Sequence, residues 1–156
     1  MRMLLTTFCA LSLLTAPLFS GALVLQIGNP NSNQEAKDKH AVLLAHLSAC
    51  RSPEKTTVTG TAEGIVNGSR KTLPLQLVSL STPGLYGVAR QWPDRGKWVI
   101  TITAKNPDYA DYAPSALVLI ENDSVNWAAI KNYPHRPSGA EVDAFLGVNT
   151  ISSTRR

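Results

Sequence analysis

The chain has 156 residues, 44% of them hydrophobic and 17% charged, with a net charge of +4. That length and balance suit one ordinary domain with its own core, without long charge blocks or low-complexity tracts. The basic surplus is small and scattered, which excludes the concentrated patch of a nucleic-acid-binding protein.

The first element is a leader. Arg2 precedes an apolar run that ends at Pro17, and Ser20-Gly21-Ala22 sets small residues at the −3 and −1 positions. A basic start, a short apolar segment and a small-x-small site predict a secretory signal peptide over residues 1–22, cleaved after Ala22. The apolar run before Pro17 is shorter than the roughly 20 residues a spanning helix needs. An uncleaved anchor from Met3 to Ile27 is the rival reading, and the context of Cys9 lacks the small residues of a lipoprotein box. Loss of Arg2 from 15 basic residues leaves 14 against 11 acidic ones, a net charge of +3. With Cys9 removed, Cys50 is the only thiol left, so no internal disulfide framework is expected.

Residues 23–40 read as an N-terminal strand, Leu23 to Ile27, followed by a polar linker rich in turn-forming residues. Residues 41–125 read as a β-sandwich. Ala41 to Cys50 is apolar on both parities, which suits a strand covered on both faces or a short helix. Thr56 to Val66 is rich in β-branched residues and runs into Asn67-Gly68, a strong hairpin signal. The return strand spans Lys71 to Leu80 with Leu73, Leu75 and Leu77 on one face, and Pro74 places it at an edge or makes it irregular. Leu85 to Trp92 follows, with Tyr86 and Val88 on one face. Trp98, Ile100, Ile102 and Ala104 then alternate with Val99, Thr101 and Thr103 as the clearest core strand. Ala116 to Glu121 closes the series, with Leu117 and Leu119 expected inward. Residues 126–156 read as an accessory segment. In it Ser138-Gly-Ala-Glu141 is a capping box, Val142, Phe145 and Leu146 form one apolar stripe, and Gly147 stops the helix. Together these predict an all-β, immunoglobulin-like sandwich of about seven strands with a short C-terminal helix.

Ser81-Thr-Pro-Gly-Leu-Tyr-Gly-Val88 and Trp92-Pro-Asp-Arg-Gly-Lys-Trp98, running on to Ala104, resemble the closing hairpin of the YtkA-like and FixH-like secreted domains. Those carry a Pro-Gly-x-Tyr strand, then Pro-x-x-Gly-x-Trp before a final alternating strand. The match covers about 25 residues. It implies the sandwich fold and a loose association with oxidase and copper assembly. After loss of the leader the chain has no methionine, a departure from soft copper(I) chemistry.

Chemistry-bearing residues are sparse. The three histidines, His40, His46 and His135, sit in no nucleophile or metal motif. On a strand, His46 and Cys50 stand about 13 Å apart at ~3.3 Å per residue, too far to share one ion, whereas a helix would bring them together; packing and surface roles are the expected ones. No catalytic residue, metal site or cofactor is therefore expected, and the chain reads as a non-enzyme. The candidate ligand or partner contacts are Trp92 and the loop residues Asp108, Tyr109, Asp111 and Tyr112, whose carboxylates and aromatics suit a sugar or a calcium-assisted contact. Trp127, with Ala128, Ala129 and Ile130, is apolar without strand alternation and is expected to dock the tail or a partner. The sequence points to an exported, non-catalytic module binding a protein or envelope component. The alternative is a small-molecule, sugar or metal-handling accessory domain.

Overall fold

The computed structural model describes residues 23–49, 51–94, 96–109 and 111–148; the expected leader and Cys50 lie outside them. Nine strands build two antiparallel sheets packed face to face. They are β1 (Val24–Gly28), β2 (Ala41–Ser48), β3 (Thr57–Val66), β4 (Ser69–Leu75), β5 (Leu77–Ser79), β6 (Leu85–Ala89), β7 (Lys97–Lys105), β8 (Ser115–Glu121) and β9 (Ser124–Tyr133). The sheet orders are β1-β2-β6-β5 and β4-β3-β7-β8-β9. The first eight strands reproduce the A-B-E-D and C′-C-F-G orders of an immunoglobulin-like Greek key, and β9 extends the second sheet.

The alternating strand over residues 97–105 is the centre of that second sheet. Trp98, Ile100 and Ile102 are almost fully buried in the inter-sheet core with Leu43, Ala45, Val88, Ala116 and Val118. Trp98 lies over Gly64 of the neighbouring strand, where an added Cβ would come within 2.5 Å of the indole. The β3–β4 hairpin turns at Asn67 (φ 51°) and Gly68 (φ 74°), the two positive φ angles that its Asn-Gly pair announces. Asn122 (φ 48°) and Asp123 (φ 71°) make a second such turn between β8 and β9, a pair that tolerates the left-handed region through its short polar side chains.

Several expectations need correction. The strand expected over residues 71–80 divides at Gln76: β4 is the edge of one sheet and β5 the edge of the other. Leu73, Leu75 and Leu77 all still reach the inter-sheet core, because the chain crosses between sheets without losing its inward parity. Residues 81–104 do not form a hairpin; β6 and β7 belong to opposite sheets, and two more strands follow. The boundary expected at residue 125 falls inside β9, so the C-terminal segment contributes eight of the ten residues of that strand to the sandwich. Nine strands replace about seven for these two reasons.

Each sheet also carries a helix on its outer face. In the expected polar linker, Asn33 accepts a hydrogen bond from the Ala36 amide at 2.8 Å and caps α1 (Gln34–Asp38). Ala36 is buried there against Leu44 and Leu80. The capping box at Ser138 and Glu141 starts α2 (Gly139–Leu146), and Gly147 ends it at φ 75°. Val142 and Leu146 pack on Val99, Leu117 and Leu119. Leu117 and Leu119 therefore face the helix, and Ala116, Val118 and Ile120 face the core, the reverse of the expected parity.

Candidate functional site

The sandwich has two flanks where the edges of its sheets meet. On one, the chain itself joins the edges as β4 passes into β5. On the other, edge strands β1 and β9 lie side by side without such a link, and each pairs on one side only among the described residues. Two grooves open along this second flank. The upper one has a volume of about 270 Å³ and runs between Val24 and Leu25 of β1 and Asn132 and Tyr133 of β9, with Tyr112 and Pro134 at its rim. The lower one, about 310 Å³, runs between Pro30 and Val42 on one side and Val125 and Trp127 on the other. Of the exposed large hydrophobic side chains, Val24 (39%), Tyr112 (36%) and Trp127 (38%) all lie on this flank. Val78 (38%) lies elsewhere, on β5.

Trp127 owes its exposure to the irregular pairing of β9. Between Leu117 and Leu119, β8 advances two residues while β9 advances five, from Lys131 to Asn126. Residues 127–130 form the resulting bulge, which turns Trp127 and Ala128 outward while Ala129 and Ile130 stay half-buried. The same bulge explains the missing strand alternation in the sequence.

The residues expected to make contacts separate into three groups. Trp92 is 5% exposed and belongs to the inter-sheet core, so it offers no surface; this corrects its assignment as a contact residue. Asp108 and Tyr109 hold the top of the sandwich together. The buried Asn106 donates to the Ser52 carbonyl at 3.0 Å and the Thr56 hydroxyl at 2.8 Å, and its Oδ1 accepts from the Asp108 amide at 2.9 Å. Asp108 pairs with Lys55 at 3.4 Å. A hydrogen bond from Ser52 first, then one from Lys55, holds its carboxyl below the usual aspartate range. Tyr109 is half-buried and packs on the cluster around Leu23 and Leu47. Asp111 and Tyr112 are exposed, and only Tyr112 lines the flank. The lack of alternation at Trp127 was the one signal in the sequence for the lower groove.

Most other carboxylates also have structural tasks. Glu141 accepts from the Ser138 amide at 2.7 Å, and that bond first holds its pKa down; His135 lies 3.3 Å from its other oxygen. Glu121 is held down by hydrogen bonds from Asn126 and then Lys97. Glu35 accepts from the Ser81 amide at 2.9 Å, which lowers it. Arg70 joins Glu63, at 2.6 Å, to Asp143 of α2, and hydrogen bonds to Glu63 and then Asp143 raise its pKa. Among the described residues no three of His, Cys, Asp and Glu are grouped to hold a metal ion, and no helix is long and apolar enough to cross a membrane. His40 lies in a turn at φ 54° and His46 on the exposed face of β2, so they do not converge.

Comparison with family descriptions, curated proteins and solved structures found no match to this chain.

Proposed function

We propose that this chain is an exported, non-catalytic sandwich module that binds a protein or envelope component through its open flank. One observation carries the reading: exposed Tyr112 and Trp127 each line a groove on the open flank, Tyr112 with β1 and the end of β9, Trp127 with β2 and the turn that follows β1. Exposed aromatic side chains framed by polar groups are the usual anchors of binding surfaces. The non-catalytic part is supported by the sequence, in which His40, His46 and His135 sit in no nucleophile or metal motif. Export is supported by the leader pattern of residues 1–22. The likeness of residues 81–104 to YtkA-like and FixH-like domains belongs to the same reading, as an exported sandwich of that general kind.

The test is site-specific photo-crosslinking in the native host, with a benzophenone amino acid at position 112 or 127 and, as a control, at Thr72 on the closed flank. Discrete adducts from 112 and 127, and none from 72, are expected in the envelope fraction. Adducts from 72 alone, or a protein that stays in the cytosol, overturn the reading.

A further inference from the structure

Resting on the open-flank reading, we propose that the lower groove is a saccharide site, taking a neutral or N-acetylated hexose unit against the indole of Trp127.

The groove joins an exposed aromatic to a rim of polar groups. Trp127, Val42 and Pro30 supply its apolar walls, and Asn31, Asp123 and Ser124 its polar rim. A pyranose has that mixed character, with an apolar C–H face and hydroxyls around its edge. The C–H face suits the electron-rich face of an indole, and hydroxyls suit carboxamide and carboxylate oxygens. At about 310 Å³ the groove stands at the small end of the range for ligand sites, on the scale of a sugar unit.

The Asp123 carboxylate and the backbone turn at Asn31 are held in place before any ligand arrives. Asp123 sits in the left-handed turn between β8 and β9, and the guanidinium of Arg90 grips both its oxygens, one of them at 2.6 Å. Arg90 is itself fixed by Asp94 at 3.2 Å. The carboxylate keeps lone pairs for hydroxyl donors after this pairing, and one guanidinium shared by Asp94 and Asp123 leaves the rim net negative, which favours a neutral ligand over an acidic one. On the other side Asn29 accepts from the Asn31 amide at 2.9 Å and fixes the short turn that carries Asn31. Polar groups fixed in this way lose little entropy on binding.

Other ligands fit less well. A peptide strand adding to β9 needs a regular ladder, and the bulge at residues 127–130 interrupts it here. Nucleic acid needs phosphate-binding cations; among the described residues no Lys or Arg lines this groove, and Arg90, which holds Asp123, is committed to Asp94 and Asp123.

Trp127 offers a direct readout, because the other two tryptophans, Trp92 and Trp98, are buried. Iodide quenching of tryptophan emission therefore reports on Trp127. The probes are the trisaccharides of β-1,4-linked N-acetylglucosamine, β-1,4-linked glucose and α-1,4-linked glucose, at up to about 5 mM, a range suited to millimolar affinity. At least one should protect Trp127 from iodide. Calorimetry should show about tenfold weaker binding for Trp127→Ala, much of it restored in Trp127→Phe, as expected for a stacking contact. Asn31→Ala should weaken binding several-fold, and Tyr112→Ala should leave it unchanged. If no trisaccharide protects Trp127 while crosslinks from 112 and 127 persist, the saccharide site is refuted and the binding module stands. If a trisaccharide protects Trp127 equally well in Asn31→Ala and binds Trp127→Ala unchanged, the groove assignment is wrong.

Discussion

The two flanks of the sandwich close the same pair of sheets by different means. On the closed flank the chain passes from β4 to β5 through Gln76. Both backbone groups of Gln76 are satisfied by one side chain: its amide donates to Gln91 Oε1 at 2.9 Å, and Gln91 Nε2 donates back to its carbonyl at 2.9 Å. Leu75 and Leu77 fill the seam behind it so tightly that a Cβ on Gly60 would meet Leu77 at 2.9 Å and Leu75 at 3.2 Å. On the open flank no segment joins β1 to β9 among the described residues, the β9 ladder is bulged, and Trp127 and Tyr112 lie at the surface. Three of the four exposed large apolar side chains among the described residues thus lie on the open flank, and Val78 of β5 is the exception. Both open edges are also guarded against strand addition, β1 by its five-residue length and β9 by the bulge and the exposed Lys131.

The most severe test of that contrast lies on the closed flank. Leu75 is 7% exposed and packs in the central core. Leu75→Ala should cost about 2–5 kcal/mol in urea unfolding, as for other buried leucines. A cost below ~1 kcal/mol would show that the crossover is not what seals the sandwich. Gln91→Ala should cost less, about 1–2 kcal/mol for two hydrogen bonds to one backbone unit. Its sharper signature is local: amide exchange should quicken at Gln76 and along β5 and stay unchanged in β9.

What the sequence disclosed follows from how each segment is buried. The strand 97–105 shows its alternation because Trp98, Ile100 and Ile102 face the core while Thr101 and Thr103 face outward. Asn67-Gly68 marks its own turn. Strands β7 and β8 are both buried over nearly their whole length, but in β8 the outward positions are apolar too, because α2 covers Leu117 and Leu119, so neither parity stands out and the expected facing is reversed. The helix α2 that covers them was visible from its capping box, but the face it covers was not. Helix α1 escaped notice because Ala36 is its single buried residue and leaves no periodic stripe. The open flank was legible only in half. Tyr112 was identified from its loop, whereas Trp127 carried no motif beyond a broken pattern, and Trp92, judged by a loop position alone, proved to be core. Grooves between strands distant in sequence have no local signature.

Acid should separate the flanks as well. The elements beside the open flank rely on carboxylates: Glu121 ties the β8–β9 hairpin to Lys97 at 3.1 Å, and Glu141 caps α2. Both have folded pKa values lowered from 4.5. Their stabilisation is therefore complete above the unfolded value and is lost as pH falls through the lowered folded values. At the closed-flank crossover Gln76 and Gln91 do not titrate, and Glu35, also lowered, binds the Ser81 amide beyond the end of β5. On acidification below about pH 4.5, exchange protection should fall first in β9 and α2, and Glu141→Gln should weaken the pH dependence in α2. Simultaneous loss in β5 and β9 would mean that the flanks are not independent.

The smallest expected effect is the most informative about function. Trp127 is an aromatic residue on a sheet edge, and such residues are often structural. Its 38% exposure and its place on a bulge argue that the fold does not depend on it. Trp127→Ala should change stability by about 0.5 kcal/mol or less, as for surface positions that fill no cavity. A tryptophan that closed the flank would behave like Leu75 and cost several times more on truncation. In that case the contrast between the flanks would fail, because both would be sealed by buried apolar side chains. A near-neutral substitution leaves an exposed indole that folding does not need, beside the fixed Asp123 and Asn31. Contact with another molecule is then the role the structure leaves for it.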